Sequence, residues 1–222
     1  MITNDFDEAT AEPFRVCVVG GGPVGLAAAL ALSDRGVPTL VLESGRDAED
    51  PALQALSDHA LVDPSTHHAP ATTVARRLGG ASNLWGGRVL PFDPIDFEPR
   101  DWIGARWPIE AQTLAPYWDR ALAFFDAGPA EFAAPLADAP GDPAFRADTL
   151  ERWSHRHRAQ QAHAARLARD PMIRVLTHAT ATGLRFGAGG AVEGLEIARP
   201  DGARRALPAR CVILAAGGLE TA

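Results

Sequence analysis

At 222 residues and 46% hydrophobic content, the chain can bury the core of one large domain or of one and a half. Its net charge of −7 is scattered rather than blocked, so no basic surface is offered to nucleic acid or to anionic lipid, and neither is expected as a partner. All 21 basic residues are arginine, which excludes mechanisms built on a Schiff-base lysine or on a phosphate-gripping P-loop lysine.

Residues 1–13 hold Asp5, Asp7, Glu8 and Glu12 ahead of the first basic residue, Arg15, and are expected to form an acidic N-terminal tail. That is the opposite of a secretion signal's positive start. The uncharged run from Val16 to Ser33 approaches the length of a membrane helix, but four glycines and a proline interrupt it, so no span is expected. The missing signal points to a cytoplasmic location. Cys17 and Cys211 each sit in an apolar, strand-like run and read as small buried hydrophobes rather than as a disulfide.

"RVCVV" predicts a buried strand that stops at Gly20-Gly21-Gly22. "VGLAAALALSDRG" predicts a helix closed by Gly36, and "PTLVLE" a second buried strand ending at Glu43. Within this strand, turn, helix and strand, Gly20, Gly22 and Gly25 fit G-x-G-x-x-G, with Pro23 inside the motif. The first glycine permits the turn, the second lets backbone approach a pyrophosphate, and the third lets helix pack on strand. Backbone N–H groups at the helix start then face the phosphates. Glu43 lies 18 residues past Gly25, where a carboxylate accepts hydrogen bonds from ribose hydroxyls and repels a 2′-phosphate. The fingerprint by itself leaves FAD and NAD both open.

After Glu43 the βα alternation breaks into a polar, proline-dotted stretch. A second glycine cluster follows, with Gly79/Gly80 and Gly86/Gly87 bracketing Ser82, Asn83 and Trp85. Two doublets so close together suggest backbone pressed against something flat or charged. "WPIEAQTLAPYWDRALAFFDAG" predicts a turn entering an amphipathic helix with Leu114, Tyr117, Trp118, Leu122 and Phe125 on one buried face. The Ala- and Pro-dense stretch from Gly128 predicts a surface loop or a lid-like excursion. "ERWSHRHRAQQAHAARLARDP" predicts a helix with a solvated Arg and His face. Its His155, His157 and His163 lack metal-ligand spacing, so no metal is expected. "MIRVLTHATATGLRF", "AVEGLEIARPDG" and "ARRALPARCVILAAGG" predict an antiparallel meander, with a last apolar strand over Val212 to Ala216 rejoining the parallel sheet at Gly217-Gly218.

These motifs together resemble the N-terminal portion of a glucose–methanol–choline (GMC) flavoprotein oxidoreductase. Gly79, Gly80, Ser82 and Gly86 match the family's G-G-x-S-x-x-N-G loop, and "DPIDFEPRDW" and "VILAAGGLETA" are similar to its bacterial, often sugar-oxidising, members. The resemblance implies an α/β, Rossmann-like FAD-binding domain over 14–222, a parallel sheet with an antiparallel meander and a long insertion at about 45–170. It also implies that the substrate domain, the catalytic histidine and its His or Asn partner lie beyond Ala222, so no catalytic residue is assigned here. The cofactor it implies is FAD, held without a covalent bond because Leu84 stands where some members carry a linking histidine. Trp85 replaces a frequent asparagine, so that residue's hydrogen bond to the flavin is not carried over. By the same resemblance the backbone of Thr180 meets adenine, and Ala216 and Gly217 lie near the cofactor.

The implied reaction takes a hydride from the CH–OH group of an alcohol or sugar, and the electron acceptor stays unknown. Flavin monooxygenases and related reductases share the first βαβ unit, but no Gly-Asp motif of the ribityl-binding kind and no second nucleotide fingerprint is found. A nucleotide-binding module without chemistry is the non-enzyme alternative.

Overall fold

The computed structural model describes residues 1–59, 62–102, 106–134 and 148–221, which fall into two compact units: 1–85 with 158–222, and 86–157. The first unit is built on a parallel sheet. Its strands are β1 (Ile2–Thr3), β2 (Val16–Val19), β3 (Thr39–Leu42), β6 (Ile173–Leu176) and β10 (Val212–Leu214), in the order β1-β6-β3-β2-β10. All four residues of β2 and of β3 are buried, as short β-branched and leucine runs should be when a sheet is covered on both faces. One cover is α2 (Pro23–Ser33), which buries Gly25, Leu26, Ala29 and Leu30.

The other cover is the antiparallel meander β7 (Thr180–Phe186), β8 (Val192–Ala198) and β9 (Arg204–Pro208). Its Leu195, Ile197 and Leu207 pack with Cys17, Val19, Leu40, Leu42 and Leu176 in one core. The five-stranded parallel sheet and its meander are the Rossmann-like architecture expected from the sequence.

The acidic N-terminal stretch is part of this unit. β1 adds to the sheet edge beside β6, and the short helix α1 (Phe6–Thr10) follows with Asp5 capping it. The Met1 ammonium donates to the carbonyls of Leu167 (2.7 Å) and Ile173 (2.9 Å). Arg174, buried in β6, donates to the Pro13 carbonyl and faces the charge of Glu12. A buried guanidinium needs such partners, which the sequence around Glu12 supplies.

Elsewhere the elements are shorter than the sequence suggests. After the short helices α3 (Pro51–Gln54) and α4 (Pro70–Thr73), the segment before Trp118 winds as 3₁₀ turns, and α5 spans only Trp118–Phe124. Leu122 is buried there, whereas Tyr117 is 56% exposed, so the expected single apolar face is not formed. Pro116, one residue before Tyr117, removes an N–H that a longer helix would need. The Arg- and His-rich stretch is not one helix either: it gives β5 (Arg152–Trp153), then α6 (Ala159–Ala162) and α7 (Ala164–Arg169). In the second unit β4 (Arg88–Val89) pairs antiparallel with β5, fastened by the Arg88–Glu151 ion pair. Of the expected excursion from Gly128, residues 135–147 lie outside the described residues, and Ala133 and Thr149 on either side form a bridge.

The two cysteines differ. Cys17 is buried in β2 and burial pushes its thiol up to about 12, whereas Cys211 is exposed because β10 begins one residue later. The expectation that both are buried is thus corrected for Cys211. Iodoacetamide at neutral pH is expected to alkylate Cys211 alone, with Cys17 reacting only after denaturation, since a thiol needs both exposure and ionisation to react. Peptide mass spectrometry before and after unfolding checks this.

Candidate cofactor-binding site

The site is assembled at the carboxyl ends of β2, β3 and β10. β2 stops at Val19, and Gly20 turns the chain with φ +107°, its N–H donating to the Leu42 carbonyl at 2.8 Å. A Cβ on Gly20 would lie 2.3 Å from the Ala215 carbonyl oxygen and one on Gly25 would lie 1.9 Å from the Gly20 oxygen, so two of the three fingerprint glycines exist for protein packing. Gly22 is different. It sits at φ −77°, ψ −177°, where any residue is comfortable, and its Cβ would meet only the Gly80 Cα, at 3.8 Å.

No protein atom therefore requires Gly22, and the space beside it is open to a ligand. Pro23 opens α2, an 11-residue helix with no side-chain cap, leaving its first-turn N–H groups unused by the helix. This is an anion-binding helix start with a bare backbone before it.

Glu43 follows β3, as expected, but its carboxylate turns inward. It is 5% exposed; Oε2 accepts from Gly21 N–H at 2.9 Å and Oε1 from Gly45 N–H at 2.8 Å. Expected from the sequence as a ribose acceptor, Glu43 also serves as a brace tying the glycine turn to the end of β3. Burial raises the carboxyl above the ordinary glutamate range, against the opposing pull of the Gly45, Gly21 and Ser44 N–H groups and of the Arg76 charge.

Glu43→Gln replaces one acceptor oxygen by a donor facing an N–H, and is expected to destabilise the chain by about 1–3 kcal/mol. Because the folded value is raised, the stability linked to this group is complete below about pH 4.3 and is lost as pH rises through the folded value. The gap between wild type and Glu43→Gln should therefore narrow with rising pH. Urea midpoints of both proteins at matched pH test it, and a gap that widens refutes the assignment.

The second glycine cluster lies against the first. Gly79 (φ +91°) donates its N–H to the Gly21 carbonyl at 2.8 Å, and a Cβ on Gly80 (φ +50°) would stand 2.9 Å from the Gly22 Cα. Ser82, 2% exposed, donates its Oγ–H to the Gly79 carbonyl at 2.6 Å and accepts from the Ala159 N–H at 3.0 Å. Asn83, inside the recognised loop, and two residues that sequence reasoning missed, Gln160 and Arg76, complete the arrangement. Asn83 Nδ2 donates to the carbonyls of Leu78 and Gly80, Gln160 Nε2 donates to Asn83 Oδ1, and the Arg76 guanidinium reaches Ser44, Ser57 and Glu220. Gln160 and Arg76 carry no local signal.

The remaining expected residues are placed as follows. Ala216 sits beside Gly20, its Cα 3.0 Å from where a Cβ on that glycine would stand, and Gly217 follows with φ +87°. Thr180 begins β7, half-buried and paired with Ala198. Trp85 closes the first unit, half-buried, and Gly86, exposed, opens the second. Among the described residues no helix is long and apolar enough to cross a membrane, and no three His, Cys, Asp or Glu side chains gather as a metal site.

No curated protein matches the sequence. Among solved structures, pyridoxine 4-oxidase from Mesorbium loti is similar at a TM-score of 0.59 and 19% identity, a likeness that speaks for the fold. The match covers 94% of this chain and 50% of that one, so the chain spans half the length of this neighbour. The family model described as FAD dependent oxidoreductase matches residues 15–220, from the start of β2 to α8 (Gly218–Thr221), and so takes in both glycine clusters. With the open face at Gly22, the bare helix start and this match, the chain belongs to the FAD dependent oxidoreductase family.

Proposed function

We propose that this chain is the cofactor-binding part of a GMC-type enzyme that oxidises the CH–OH group of a sugar or other alcohol. The observation that carries the reading is the contact of two glycine clusters, backbone on backbone, with the outer side of Gly22 left open before the α2 N-terminus. Such a surface takes a diphosphate, which accepts from N–H groups and tolerates no Cβ. In this reading Gly20, Gly22, Pro23 and Gly25 shape the diphosphate cradle. The second loop, over Gly79, Gly80, Ser82 and Trp85, lies beside the flavin, the backbone of Thr180 meets the adenine, and Ala216 and Gly217 lie near the cofactor.

Glu43 has a double task in this proposal. A carboxylate offers about four lone-pair positions, so bracing Gly21 and Gly45 leaves capacity for a ribose hydroxyl. Its charge also disfavours a 2′-phosphate. When bound, the flavin supplies the hydride acceptor; the protein's part is to hold and orient it. Leu84, where a linking histidine would stand, makes that hold non-covalent.

The experiment is a titration of the purified chain with FAD, followed by flavin fluorescence and the visible absorbance band. Saturable binding with little response to NAD or NADP is expected, and no binding at saturating FAD removes the reading. The CH–OH assignment is tested by bleaching of bound flavin by a sugar and alcohol panel in a polypeptide that also carries the substrate-binding residues; a panel that leaves such flavin oxidised removes it.

A further inference from the structure

Two side-chain amides, those of Asn83 and Gln160, decide the orientation of the second glycine loop. Asn83 Nδ2 lies 3.1 Å from the Leu78 carbonyl oxygen and 2.9 Å from that of Gly80. Carbonyl oxygens only accept, so the Asn83 amide cannot be turned over without losing both bonds. Its Oδ1 must then face Gln160, and Gln160 must answer with Nε2, at 2.8 Å. That leaves Gln160 Oε1 buried without a hydrogen-bond partner, aimed at the α-carbon of Gly79, where a Cβ would come within 1.8 Å.

An unpaired buried acceptor is costly, and an apolar side chain at 160 would fill the same space without it. What the amide adds is direction: through Asn83 it fixes the carbonyls of residues 78 and 80, and hence the faces of Gly79 and Gly80 that touch Gly21 and Gly22.

We propose that Gln160, acting through Asn83, is a positioning residue that sets the second glycine loop on the first and so holds the Gly22 backbone in register for FAD. The proposal rests on the FAD-binding reading above. Gln160 touches no ligand in it; Gln160 lies 77 residues from Asn83 and arrives on α6, whose first N–H is already fastened to Ser82.

The test uses the full chain with FAD as the probe. Gln160→Met keeps the volume and removes the donor. It is expected to weaken FAD binding about tenfold while moving the cofactor-free melting midpoint by no more than about 4 °C. Hydrogen exchange at the amides of 79–83 should quicken in the same variant without FAD.

Gln160→Glu provides a second readout. The introduced carboxylate repels Asn83 Oδ1 when ionised, but once protonated it regains a donor. Its FAD affinity should therefore recover toward wild type between about pH 7 and about pH 5. A side chain that merely fills space would show no such recovery. Wild-type binding with Gln160→Met unchanged, or a flat pH response of Gln160→Glu relative to wild type, overturns this proposal alone. Failure of the unmodified chain to bind FAD overturns the reading beneath it, and the proposal with it.

Discussion

Gly22→Ala is expected to leave the cofactor-free chain folded and to reduce its FAD affinity by about 100-fold or more, equivalent to about 3 kcal/mol. The added methyl meets no strain, because φ is −77° and the nearest protein atom would be 3.8 Å away. Alanine is a poorer residue than glycine at a helix N-cap, which sets the structural loss at about 1 kcal/mol and a fall of about 2–4 °C in the melting midpoint. The same methyl stands in open space at the N-cap of α2, where, in the proposed reading, a diphosphate must come within hydrogen-bonding distance. Differential scanning fluorimetry of the cofactor-free protein and a flavin fluorescence titration separate the two effects. Unaltered FAD binding by Gly22→Ala would show that the diphosphate is held elsewhere.

Gly25→Ala should behave in the opposite order, with folding failing first. Here the added Cβ falls 1.9 Å from the Gly20 carbonyl oxygen, 3.1 Å from its carbon and 3.2 Å from a Val18 methyl. The nearest two are backbone atoms of a turn already pinned by the Gly20 N–H to Leu42, with the Ala215 carbonyl closing its other side. Relief requires α2 to lift from β2, along the contact that buries Leu26, Ala29 and Leu30. A loss of about 3 kcal/mol or more is expected, lowering the midpoint of a chain this size by about 6–12 °C, with FAD binding lost as a consequence. Chemical denaturation of the cofactor-free protein measures it. A Gly25→Ala protein as stable as wild type would mean that helix and strand are not packed as described.

Together the two substitutions divide a single motif by physical cause. One glycine is required by a neighbouring carbonyl and the other by a ligand, although both occupy the same pattern in the sequence. The contrast matters for Glu43 as well. Its place at the end of β3 is what a ribose acceptor requires, yet its two oxygens already hold Gly21 and Gly45. Removing it therefore disturbs the cradle even where ribose is not bound, and loss of FAD affinity in Glu43→Gln cannot be assigned to ribose without its separate stability measurement.

The sequence by itself determined the βαβ unit, the glycine turn, the carboxylate after the second strand and the second glycine loop, and through the resemblance these carry it implied the flavoprotein class. These are local properties: a buried strand, a positive φ and a helix start depend on residues within a few positions of one another. Only the tertiary structure decided where side chains point and what distant segments meet. It turned Glu43 inward, placed Ala215 against Gly20, folded residues 1–10 onto the sheet edge, and left Cys211 exposed by starting β10 one residue later. It also brought Gln160 to Asn83 from a stretch whose composition suggested nothing but a solvated helix. Spacing along a chain carries backbone conformation; the direction of an amide or a carboxylate is chosen by partners that only folding brings near.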